Sequence, residues 1–108
     1  MDEAALDERL RALAHTVRRR LVAACLAAPQ PAGRLVELTG LAPASVSEHL
    51  KVLRKTGLLV LERRGRHRYY AADLALVRQT AAALLADIDL RSPRGENRRP
   101  PPQREENA

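Results

Sequence analysis

The 108-residue chain has a net charge of +6, from 19 Lys and Arg against 13 Asp and Glu, with one cysteine, two tyrosines and no tryptophan or phenylalanine. Its length holds one domain, a lone cysteine rules out a disulfide framework within the chain, and two adjacent tyrosines are too few to stack the bases of a single strand. No apolar run approaches a membrane span, and the first residues (Asp2, Glu3, Asp7, Glu8, Arg9, Arg11) are too charged for a signal peptide, so the expectation is a soluble cytoplasmic protein.

The first predicted helix covers about Ala4 to Ala14, where Leu6, Leu10 and Leu13 fall at helical spacing. Thr16 is expected to cap a second helix from Val17 to about Ala28, with Val17, Leu21, Ala24, Cys25 and Ala28 on one face; Pro29-Gln30-Pro31 stops it. A short helix from Ala32 to Thr39 turns Leu35 and Leu38 inward and ends at Gly40, a residue suited to a left-handed cap. Leu41-Ala42 makes a turn, and Pro43 suits the first position of the next helix, which runs to about Thr56 and is closed by Gly57.

That fourth helix buries Val46, Leu50 and Leu53. At about 100° per residue its other side presents Ala44, Glu48, Lys51 and Lys55, flanked by Ser45, Ser47 and Arg54. Two short helices, a tight turn and a basic outer face on the second make a helix-turn-helix. Leu58 to Leu61 and Tyr69 to Ala71 are strand-prone arms around a charged stretch, with Arg64-Gly65 as the expected turn, so a β-hairpin follows. Residues 51–68 hold seven basic side chains (Lys51, Arg54, Lys55, Arg63, Arg64, Arg66, Arg68) and a single acid, Glu62. Such a local excess is read either as a polyanion-binding surface or as a merely solvated basic face.

The last predicted helix, about Asp73 to Asp89, spaces Leu74, Val77, Ala81, Leu84 and Ile88 in steps of three and four, the pattern of a two-helix seam, widened by Leu85 and Leu90. It either packs back onto the first helix or pairs with a second subunit. The terminal helices offer more apolar surface than one small core covers, which favours pairing, through Leu6, Leu10, Leu74, Val77, Ala81, Leu84 and Ile88. From Arg91 to Ala108 there is no apolar run, and Pro93 and Pro100-Pro101-Pro102 interrupt the segment, so it is expected to be a disordered Pro/Arg-rich tail. The domain is therefore residues 1–90: mainly α with a small β-hairpin, in the winged helix-turn-helix order α-α-α-α-β-β-α.

The stretch from Leu10 to Tyr70 resembles the ArsR/SmtB family of bacterial winged-helix repressors. The resemblance lies in Leu10-Arg11-Ala12-Leu13-Ala14, Arg18-Arg19-Arg20-Leu21, the run from Leu41 to Leu58 with Val46-Ser47-Glu48-His49-Leu50-Lys51-Val52-Leu53 at its centre, and Arg64-Gly65-Arg66-His67-Arg68-Tyr69-Tyr70. It implies a homodimer with the first and last helices at its interface and a recognition helix in each of two successive major grooves of double-stranded DNA. Metal-sensing members carry paired cysteines in the first helix of the helix-turn-helix, or an Asp-x-His and His-x-x-Glu/His set on the last helix. Here those places read Arg34-Leu35-Val36-Glu37-Leu38 and a helix with Asp73, Asp87 and Asp89 but no histidine, so no metal and no cofactor are expected.

The recognition-helix candidates for DNA are Ser45, Ser47, Glu48, His49, Lys51 and Lys55; the wing candidates are Arg63, Arg64, Arg66 and Arg68, with Arg64 or Arg66 entering the minor groove. Glu48 either accepts from a cytosine amino group or pairs with Lys51 or Lys55. His49, at the edge of the buried stripe, is either packed and hydrogen-bonded or a DNA contact. Pro43 and Ala44 stand where relatives carry polar residues, leaving backbone N–H groups for a phosphate. Cys25 is expected to be a small buried hydrophobe, and no residue set suits catalysis. The competing function is a protein-interaction winged helix that has lost DNA; the effector, if there is one, is not legible.

Overall fold

Asp2 Oδ1 accepts the Ala5 N–H at 2.7 Å and starts α1 (Glu3–Leu13). In the computed structural model, which describes residues 1–93, there follow α2 (Thr16–Ala27), α3 (Ala32–Thr39), α4 (Pro43–Lys55), β1 (Leu59–Arg64), β2 (His67–Ala72) and α5 (Leu74–Arg91). The expected order of elements is the observed one. Thr16 does not cap α2: His15 holds the N-cap position with no side-chain bond, and Thr16 is the first helical residue. Arg19 anchors this junction instead, its Nη1 donating to the Leu13 carbonyl at 2.7 Å. Gly40 caps α3 in the left-handed region at φ +68°, and Pro43 opens α4, both as expected.

The core is a three-helix centre closed by the hairpin. Leu21, Val22 and Cys25 of α2, Leu35 of α3 and Val46, Leu50 and Leu53 of α4 are buried together with Ala12, Leu58 and Leu59. Each fully buried leucine contributes about 1.5–3 kcal/mol relative to an exposed one, so this cluster fixes how α3 and α4 meet. Leu38, expected inside, is half exposed at 49%, because α3 is only eight residues long and turns Leu35 and Val36 inward instead. Ala28 is likewise exposed, as the C-cap of α2 rather than part of its inner face.

β1 and β2 pair antiparallel with Arg64 opposite His67, so the two-residue turn is Gly65-Arg66, one position beyond the expected Arg64-Gly65. Gly65 has φ +63° while among the described residues no non-glycine residue, Arg66 included, has positive φ, the signs of a type II′ turn. A further strand pairing was not foreseen. Gln30 exchanges both backbone hydrogen bonds with Tyr70 (Gln30 N to Tyr70 O 2.9 Å, Tyr70 N to Gln30 O 2.8 Å). With proline on either side, Gln30 has the only backbone N–H of the Pro29-Gln30-Pro31 segment; that donor caps the edge of β2 and the ladder goes no further.

Asp73 caps α5, accepting from the Leu76 N–H at 3.0 Å, and the helix packs along α1. Its inner side carries Leu76, Val77, buried Thr80, Ala83 and Leu84. Thr80 was not among the expected inner residues; its hydroxyl is satisfied by the Leu76 carbonyl at 2.7 Å. The helix reaches Arg91, one residue into the segment expected to be tail, where Arg91 bonds Glu3 (2.7 Å) and Asp87 (3.0 Å) and clips the end of α5 to the start of α1. The rest of the tail expectation, residues 94–108, lies outside the described residues.

Candidate nucleic-acid interface

The exposed surface of α4 divides into flanks. Ser47, Lys51 and Lys55 face an open groove of about 480 Å³ between α4 and the wing, together with Arg54 and Tyr70. Arg54 and Tyr70 were not named as site residues. Arg54 could have been: at i+7 from Ser47 and i+3 from Lys51 it shares their side of the helix. Tyr70 owes its place to the hairpin's attachment at Gln30, which no local pattern shows.

Glu48 is exposed and pairs with Lys51 at 3.5 Å, one turn along the helix; both side chains are 73% exposed. A pair so exposed is worth little and its partners exchange readily. Ser45, also exposed, and half-buried His49 lie on the flank turned from the groove, at i and i+4 with Val52 at i+7. His49 is held against α2. Arg18 Nε donates to its Nδ1 at 3.1 Å, and the His15 ring lies 4.6 Å away, tilted by 60°. Burial, then the charges of His15 and Arg18, push the His49 pKa below 6.5. Of the two alternatives for His49, the packed and hydrogen-bonded one is present.

On the wing, directly opposed residues share a face. Leu59–Ala72, Leu61–Tyr70 and Arg63–Arg68 form one face; Val60–Ala71, Glu62–Tyr69 and Arg64–His67 form the other. Arg63 and Arg68 thus share a face with Tyr70, which lines the groove beside α4. Arg64 is on the reverse face, where its Nη2 meets Glu62 at 3.4 Å and its guanidinium lies 5.3 Å above the Tyr69 ring. Arg66 sits exposed in the turn. Among the described residues neither Arg63 nor Arg68 has an anionic partner, although like charges opposed across a ladder repel.

The N-terminus of α4 begins at Pro43 behind Ala42 with no side-chain cap; Pro43 has no N–H and the Val46 N–H bonds the Ala42 carbonyl, so the first-turn N–H groups left for an anion are those of Ala44 and Ser45. Among the described residues no three His, Cys, Asp or Glu converge to hold a metal ion. Cys25 is buried and its thiol pKa is pushed up to about 11 by desolvation.

Residues 13–62 match the family model described as a helix-turn-helix domain. A solved structure described as a "possible transcriptional regulator for arsenical resistance" is 30% identical, with 74% of this chain and 83% of that one covered at a TM-score of 0.66. This chain belongs to the ArsR family of winged helix-turn-helix transcriptional regulators. An ArsR-like transcriptional regulator from Rhodococcus sp. RHA1 is 27% identical over 82% of this chain and 86% of that one, at a TM-score of 0.72. The transcriptional repressor BigR from Xylella fastidiosa is 28% identical over 78% and 83%, at 0.59. No curated protein matches the sequence. ArsR-family proteins are DNA-binding transcriptional regulators and not enzymes, and so is this chain. Among its described residues no helix is long and apolar enough to cross a membrane.

Proposed function

We infer that this ArsR-family regulator is a repressor that binds an inverted-repeat operator as a homodimer and does not respond to metals. One observation carries the DNA surface: Arg63 and Arg68, without an anionic partner among the described residues, share a wing face with Tyr70, which lines the groove that holds Lys51, Arg54 and Lys55. A phosphate backbone lying there neutralises both clusters, and Ser47, with Glu48 once released from Lys51, is the candidate for base edges in the major groove. Arg66, at the wing tip, is the candidate for the minor groove; Arg64 supports the reverse face through Glu62 and Tyr69. Ser45 and His49 have a lesser share, since their flank turns toward α2.

Pairing is supported by α5. Leu74, Ala81, Leu85 and Ile88 form one exposed stripe, with Leu85 70% and Ile88 58% exposed. Val77 and Leu84 border it, and Leu10 is half-buried. Leu6 is already buried within its own subunit, so it supports the seam from beneath rather than lining it. The unit that binds DNA and pairs is residues 1–91. A repressor's role is supported by the likeness to a described repressor and by the ease with which a dimer seated on a promoter excludes polymerase. Metal independence rests on the ligand sets: one buried cysteine and no histidine on α5.

Footprinting on the DNA upstream of its own gene, with the salt slope of affinity, tests this reading. Protection of two half-sites about one helical turn apart is expected, with a slope set by roughly six to eight phosphates per dimer. Absence of protection in dilute buffer overturns it.

A further inference from the structure

On the flank of α4 away from the DNA groove lies a second cleft, of about 230 Å³, between α1, α2 and α4. Exposed Arg11 and Lys55 and half-buried Arg18 line it beside buried Ala12 and half-buried Val52; Glu8 is the one carboxylate among the described residues that line it. Among the described residues Arg11 and Lys55 have no ion-pair partner, and neither does Glu8. Three cations against one acid beside an apolar wall select a small anion with an apolar body. The volume is that of roughly eight waters at ~30 Å³ each, enough for a single-ring carboxylic acid.

Two of the lining residues also serve the DNA surface. Lys55 lines both this cleft and the groove beside the wing. Arg18 donates to His49 on the recognition helix. A carboxylate bound between Arg11, Arg18 and Lys55 draws the Lys55 ammonium to the far side of α4 and competes with His49 for the Arg18 guanidinium. We propose that this cleft is an effector site for a small apolar monocarboxylate, and that filling it weakens DNA binding. The ligand site stands on the cleft's own chemistry; its effect rests on the DNA surface inferred above. By linkage, DNA bound to the groove weakens the carboxylate by the same factor.

The test uses the full chain, ¹⁵N-labelled, titrated with benzoate and, as neutral control, benzamide. Saturable shifts at the Ala12, Arg18 and Val52 amides are expected with benzoate, at least about tenfold weaker with benzamide and with Arg11→Gln. Saturating benzoate is expected to weaken binding of a labelled duplex at least about fivefold for wild type, while Arg11→Gln binds the duplex as wild type does without benzoate. No saturable shift at these amides, an equal response to benzamide, or unchanged duplex affinity overturns the proposal. So does a loss of duplex affinity in Arg11→Gln alone, which assigns the cleft to a DNA phosphate. Failure of the wild type to bind any duplex overturns the DNA reading, while the benzoate titration still judges the ligand site.

Discussion

Arg18 Nε donates to His49 Nδ1 across 3.1 Å, tying α2 to the back of the recognition helix. The acceptor must be an unprotonated nitrogen, so His49 is the neutral tautomer with its proton on Nε2. Burial, with His15 and Arg18 adding to it, lowers the folded pKa below 6.5, so between the two values the unfolded chain binds more protons. His49 therefore makes stability fall as pH drops from about 6.5 toward the depressed folded value, with no such slope above it. His49→Gln keeps an acceptor for Arg18 and cannot titrate. Thermal melts from pH 7.5 to 5 should show a shallower decline for H49Q than for wild type; parallel curves refute the assignment.

Arg63 and Arg68 face each other across the wing, a like-charge opposition that an anionic partner relieves. Replacing either with Ala should raise stability by about 0.2–1 kcal/mol. The same change should reduce the salt slope of DNA binding by about 2 per dimer, one phosphate from each wing. Arg64→Ala, on the reverse face, should leave that slope nearly unchanged. Equal effects of the three variants on the slope would falsify the division of the wing into two faces.

Gly57 joins α4 to the hairpin at φ +82°, and a Cβ there meets Leu76 Cδ2 at 3.2 Å. Gly57→Ala should destabilise by about 1–2 kcal/mol from the left-handed backbone alone. Gly33 lies within α3 with nothing within 4 Å of a built Cβ and no positive φ. Gly33→Ala should stabilise by about 0.5–1 kcal/mol. Denaturant midpoints of both variants check the contrast, and shifts of the same sign count against it.

Leu85 and Ile88 are exposed within one chain, so charging them should leave the subunit folded. Sedimentation of Leu85→Glu or Ile88→Glu should give a monomer with an unchanged helical circular dichroism spectrum, where wild type gives a dimer. A monomeric wild type at micromolar concentration removes the proposed pairing.

The Cys25 thiol, buried and shifted to about 11, should resist a thiol reagent at pH 8 in the native protein and react promptly in denaturant. Rapid native labelling contradicts its burial.

Much of the architecture is local chemistry and is legible in the residues. The Val46–Leu50–Leu53 stripe, Gly40 as a left-handed cap, Pro43 at a helix start and the basic hairpin each follow from spacing or backbone preference. Those preferences act within one turn or one strand, so element order and the basic side of α4 need no tertiary information. Tertiary packing decided the rest, because long-range pairings depend on residues far apart in the chain. Whether His49 meets DNA or Arg18 depends on where α2 lies, thirty-one positions earlier. Which arginines of the wing share a face with the groove depends on a register and a turn displaced by one residue. Tyr70 reaches α4 because a lone N–H between two prolines pairs with its strand. Leu6 and Leu85 are both apolar residues on the terminal helices, and α5 is apolar on more than one side; which of them is buried and which exposed is decided by how the helices pack.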